Sequence, residues 1–228
     1  MARAPAEKAS HGVVRLPPGR HGLSRDAVAE SQRERLLNGV VEATVAHGYN
    51  ATTIDQLTEA ASVSKRTFYE HFANKEECFL AVLDEFVQEA LDSVRPNLDG
   101  ADSWPEAVYK TMTAFVDYLV AHQALLRIAF IDVFEVGPGM IGRMTHSVED
   151  FTKMLVEHGP APRRGPAVAL EAVTGAVWGI IASYVANDRL SRLPCLVDQL
   201  VFTVLAPYIG PKGAIEAIQS CRKPLRAV

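Results

Sequence analysis

Three cysteines in 228 residues, Cys78, Cys195 and Cys221, are few, widely separated and odd in number. With no C-x-x-C pair among them, neither a disulfide framework nor a zinc cluster is indicated, and a reducing cytoplasm is the natural compartment. The serine-hydrolase elbow G-x-S-x-G, the P-loop and the zinc-protease H-E-x-x-H are all missing, as is the Glu-x-x-His spacing of di-iron bundles. His146 and Glu149 share a helical face but lack a third ligand, so they read as a surface pair. No catalytic residues, metal or cofactor are therefore assigned, and the chain is read as not an enzyme. Long hydrophobic runs are lacking too. The longest, Ala172–Ala186, contains Thr174 and Ser183 and is too short for a comfortable membrane span. The N-terminus has no continuous apolar core of a signal peptide. Nor is there an excess of positive charge: 23 Lys and Arg against 27 Asp and Glu leave a net −4.

That total hides an asymmetry. Residues 1–75 carry 10 basic and 8 acidic side chains, residues 76–228 carry 13 and 19, so a net of +2 precedes a net of −6. A nucleic-acid-facing end on an acidic body has this distribution. Residues 1–23, rich in Pro, Gly and Arg, are expected to be a flexible basic arm, either solvated or reaching into a minor groove. Ser24 and Asp26 mark a helix start, and Gly48 its end.

Thr53–Glu77 carries most of the information. Thr53 and Gln56 form a capping box, and Ile54, Leu57 and Ala61 recur at helical spacing behind it. Ser64 caps a second helix over Ser64–Phe72, whose Phe68 and Phe72 share its inner face. Asn74 and Glu77 repeat the pattern and open a long helix to about Val94. Two short helices joined by a tight turn are how many proteins lay one helix in the DNA major groove.

This stretch closely resembles the DNA-binding domain of the TetR (tetracycline-repressor) family of bacterial transcription regulators. The residues that carry the resemblance are Thr53, Ala60-Ala61-Ser62-Val63-Ser64, Thr67, Tyr69, His71-Phe72 and Asn74-Lys75-Glu76-Glu77. Where the family usually has Gly, this chain has Ser62, so Ser62 is expected to take a left-handed backbone at a cost of roughly 1 kcal/mol. Entry of the Ser64-capped helix into the major groove puts Lys65 and Arg66 at base edges and Thr67 at a thymine methyl or a phosphate. The resemblance implies sugar-phosphate contacts from Thr53, Tyr69, His71 and Lys75, with Ser64 at the helix start beside them.

Downstream, helices are predicted over Trp104–Ala121, Gln123–Glu135, Met140–Glu157, Ala167–Asn187, Leu196–Ile209 and Gly213–Cys221, with a break at Gly137-Pro138-Gly139. The expected fold is all-α: residues 24–75 form a three-helix helix-turn-helix DNA-binding domain, and 76–228 a larger helical domain for effector binding and dimerisation. Trp104, Phe115, Tyr118, Phe130, Phe134, Met144, Phe151 and Trp178 are candidates to line an effector pocket. Ala172, Gly175, Ala176 and Gly179 make a small-residue stripe, and Val197, Leu200, Val201, Val204 and Leu205 an apolar one. The resemblance implies that these two helices form a dimer interface. The function implied is a repressor that binds a palindromic operator as a homodimer and is released by a small hydrophobic effector, which shifts the 75–94 helix. The rival is a helical carrier or enzyme that keeps the helix-turn-helix as scaffold.

Overall fold

The computed structural model describes residues 24–136, 138–157, 159–160 and 170–222. The expected basic arm, residues 1–23, lies outside them. Among the described residues the chain is all helix, with no strand. It divides into two compact units, Met1–Asp84 and Glu85–Val228.

Unit 1 is built from α1 (Arg25–His47), α2 (Ile54–Ala61), α3 (Lys65–His71) and the first half of α4 (Lys75–Val94). Ser24 caps α1 by accepting from the Ala27 amide. Thr53 and Gln56 form the reciprocal capping box at α2, and the Ser64 hydroxyl accepts from the Thr67 amide at α3. Ser62 has φ 52° and ψ 45°, the left-handed conformation that ends α2 and sets the turn. The apolar stripes meet in one core: Leu36, Leu37 and Val40 of α1, Leu57 and Ala61 of α2, Phe68 of α3 and Phe79 of α4 are all buried. Gly39 decides how closely α1 and α2 approach, because a Cβ there would lie 2.8 Å from the Ala61 Cβ and from the Leu57 carbonyl oxygen.

Unit 2 holds the rest of α4, α5 (Pro96–Asp99), α6 (Trp104–Ala121), α7 (Gln123–Arg127), α8 (Val133–Val136), α9 (Pro138–Glu157), α10 (Leu170–Ala186) and α11 (Val197–Arg222). Three segments depart from the expected pattern. Gln123–Glu135 is not one helix, since a π-helical turn over Ile128–Asp132 separates α7 from α8. The chain re-enters helix at Pro138, ahead of the expected Met140, because proline suits the first turn, where its missing N–H is not needed. The Ser191–Pro194 break is a 3₁₀ segment, Leu190–Leu196.

At Gly210, φ 80° kinks α11 between Ile209 and Pro211, where the sequence places a helix end. Length and composition alone would let Leu190–Arg222 cross a membrane. Here the kink interrupts it, and α11 packs along α6. The apolar stripe Val197, Leu200, Val201, Val204 and Leu205 is buried inside the unit, which corrects its expected place at a subunit interface.

Candidate nucleic-acid interface and candidate effector cavity

On the exposed side of unit 1, Lys65 and Arg66 occupy the first turn of α3, with Thr67 one residue on and Tyr69 57% exposed. Arg66 is 89% exposed and pairs with Glu70, one turn away, at 3.0 Å. Lys65 pairs with Asp55 on α2. The hydrogen bond to Asp55 and its charge raise the Lys65 pKa. The Ser64 and Thr67 hydroxyls lie 2.9 Å apart at the helix start. Thr53 heads α2, its hydroxyl 3.0 Å from Gln56 Oε1. His71 is half-buried, with Nε2 3.5 Å from Gln32 Oε1 on α1.

Ser64, Lys65, Arg66 and Tyr69 are thus exposed on α3 and at its start, with Thr67 half-buried among them, and Thr53 is exposed at the start of α2. Lys75 differs. Its Nζ donates to the carbonyl oxygens of Tyr49 at 2.7 Å and Thr52 at 2.9 Å.

Unit 2 contains a cavity of about 60 Å³, and the described residues of its wall are apolar or aromatic except for Ser147. Phe115, Phe130, Phe151 and Trp178 line it, as stacked pairs: Phe130 on Trp178 at 4.1 Å between ring centroids, Phe115 on Phe151 at 4.4 Å. Trp104 and Tyr118 do not line it, because their polar atoms are satisfied elsewhere. Trp104 Nε1 donates to the Leu155 carbonyl at 2.8 Å. The Tyr118 hydroxyl donates to Glu89 at 3.1 Å, and burial together with that carboxylate raises its pKa. The side chains of Phe134 and Met144 lie outside the described residues. Missed in the site assignment were Phe86, Val87, Ala90 and Leu91 of α4. Their i, i+1, i+4, i+5 spacing is the signal that marks them as one wall.

Among the described residues no group of three His, Cys, Asp or Glu side chains could hold a metal. His146 stands on the surface near Glu149 and Asp150, 3.7 and 3.8 Å away. Residues 137–142, Gly-Pro-Gly-Met-Ile-Gly, match the spacing of a dinucleotide-binding loop. They follow helix α8 and run into α9, whereas that loop needs a preceding strand.

A capped helix-turn-helix presenting Lys, Arg, Thr and Tyr to solvent, on an all-helical chain, defines a DNA-binding transcriptional regulator. The model for "Bacterial regulatory proteins, tetR family" matches residues 36–82, from the second half of α1 into α4. Over that stretch, which spans the helix-turn-helix, the chain is similar to the TetR family of regulators. It is 29% identical over 136 residues to the HTH-type transcriptional regulator YhgD of Bacillus subtilis, covering 56% of this chain and 69% of that one. It is 40% identical over 86 residues to the HTH-type regulator TcmR of Streptomyces glaucescens, covering 36% of this chain and 37% of that one. Its fold is similar to that of the regulator FadR from Bacillus subtilis, solved in complex with stearoyl-CoA: TM-score 0.63, 13% identity, 78% of this chain and 98% of that one.

Proposed function

We propose that this regulator is a cytoplasmic, non-enzymatic, homodimeric repressor that binds a two-fold symmetric operator and is released by a small, uncharged hydrophobic effector. The observation that carries the DNA reading is the first turn of α3, where Lys65 and Arg66 stand exposed on a capped helix. In the major groove those two residues and Thr67 meet base edges. Arg66 is suited to a bidentate guanine contact, while Thr53, Ser64, Tyr69 and His71 meet the sugar-phosphate backbone. Glu70 and Asp55 must release their cations for this to happen, a modest demand between exposed partners.

Dimerisation is supported by α10. A Cβ added at Gly175 or Gly179 would meet nothing within 4 Å in the isolated chain, so this stripe is free to take a second helix at close range. Two recognition helices related by a two-fold then match a pseudo-palindrome.

The effector class follows from the cavity wall. Among the described residues no ionisable side chain lines it, so they would leave a charged group placed there unpaired in a low-dielectric site. At about 60 Å³ the cavity is smaller than ordinary ligand pockets, so an effector must part the stacked rings and shift the population towards an opened state. Residues 86–91 of the wall belong to α4, whose first half lies in the DNA-binding unit, and movement of α4 is the proposed route of release. A coupling of about 1–3 kcal/mol gives ~5–150-fold release.

The test is a thermal-shift and tryptophan-fluorescence screen of uncharged hydrophobic compounds. Compounds that perturb Trp178 emission should also lower DNA affinity, and DNA should lower theirs by the same factor. Tight ligands that leave DNA affinity unchanged would contradict an effector role and favour a carrier.

A further inference from the structure

Lys75 is the first residue of α4, and its ammonium is held inside unit 1. Beyond the two hydrogen bonds to Tyr49 and Thr52, Nζ lies 4.2 Å from the centroid of the Tyr49 ring. Tyr49 is itself buried and meets Phe79 of α4 edge-on at 4.7 Å. Thr52 is buried as well, with its hydroxyl donating to the Gly48 carbonyl at 2.8 Å and its amide to the same oxygen at 3.1 Å. One half-buried cation thus gathers the two carbonyls of a turn that ends immediately before Thr53, the N-cap of α2. Carbonyls in a tight loop need donors, and an ammonium that gives up water for two carbonyls and an aromatic face supplies them at charge-assisted strength.

We propose that Lys75 is a positioning residue for DNA binding. It fixes the Tyr49–Thr52 turn, and through it the place of Thr53 and the first turn of α2, instead of contacting a phosphate itself. The proposal rests on the reading of Thr53 as a backbone contact. Its consequence is mechanical: displacement of the first turn of α4 moves the ammonium that anchors those two carbonyls, so it reaches Thr53 without any contact between α4 and DNA.

The experiment uses the full chain and a duplex selected by the wild-type protein from a random-sequence pool. Affinity is measured across a salt series for Lys75→Met and Lys75→Gln, and amide hydrogen exchange is followed in the free proteins. Lys75→Met should weaken binding about tenfold, leave the log–log salt slope unchanged, and quicken exchange at Thr52–Leu57 only. Lys75→Gln, equally uncharged but able to donate to a carbonyl, should recover part of both losses. It carries the same slope test if the Met variant does not fold. A slope smaller by about 0.9 with unchanged exchange would make Lys75 a phosphate contact and overturn the proposal. Faster exchange throughout α1–α3 would make it a general stability residue, and local exchange without loss of affinity would deny the turn any role in positioning. A wild-type chain that selects no duplex would overturn the DNA reading itself.

Discussion

Arg35 of α1 donates through Nη2 to the carbonyl of Ser62, the residue that ends α2 in left-handed backbone. The turn between α2 and α3 is thus held from a third helix at the point where a side chain is least welcome. A Cβ in this region costs roughly 1 kcal/mol, and glycine would avoid it while losing more freedom on folding. Relief of the strain outweighs that loss only narrowly, so Ser62→Gly should stabilise the chain by no more than about 0.5 kcal/mol, while Arg35→Ala should destabilise it by about 0.5–1.5 kcal/mol. Urea unfolding of the two variants checks both signs. Destabilisation by Ser62→Gly would mean that the serine side chain contributes something beyond its conformation.

The Lys65–Asp55 pair makes the acid an internal competitor of DNA for one of the proposed base readers. Asp55→Asn should raise DNA affinity a few-fold, and the gain should vanish in a Lys65→Met background, since a cycle isolates what acts through the partner. Equal gains in both backgrounds would reduce the effect to removal of one negative charge. Because the pair raises the Lys65 pKa, its contribution is present through neutral pH and is lost only as pH climbs above the ordinary lysine range.

Gly39 has no room to grow. Gly39→Ala should force α1 and α2 apart, costing on the order of 1–3 kcal/mol by overpacking. DNA binding should fall with it, as the presentation of α2 and α3 changes. Melting temperature and DNA affinity measured on the same preparation test this, and a variant of wild-type stability would show that the helices separate freely.

Gly175→Leu probes the opposite situation, a glycine facing open space. The isolated subunit should keep its fold, with an unchanged circular dichroism spectrum, while light scattering reports monomer and DNA affinity drops. Dimers of wild-type affinity would remove α10 from the interface.

Capping and turn chemistry were legible in the sequence because they are local. Thr53 with Gln56, Ser64 with Thr67, and the left-handed Ser62 each involve residues within three of one another or a single backbone conformation. What escaped depends on neighbours distant in the chain. Apolar character alone could not say whether Leu200 and Val204 face the rest of the subunit or a partner, and both are buried within the subunit, where α11 packs along α6. Trp104 and Tyr118 are aromatic like the cavity residues, but their hydrogen bonds run to Leu155 and Glu89. The Lys75 ammonium meets carbonyls 26 and 23 positions earlier, a pairing no spacing rule contains. The π-helical turn at Ile128–Asp132 has no sequence signature in a run that reads as ordinary helix.

The most direct test of the account is sequence selection from a random duplex pool by the wild-type chain and by Arg66→Ala. The account predicts that the wild type enriches two half-sites related by a two-fold, about 34–36 Å apart or a multiple of that. Arg66→Ala should enrich the same arrangement with preference relaxed at the few base pairs that the guanidinium reads, at a cost of about 1–3 kcal/mol. No enrichment by the wild type, or identical base preferences from both proteins, would contradict α3 as the element that reads DNA.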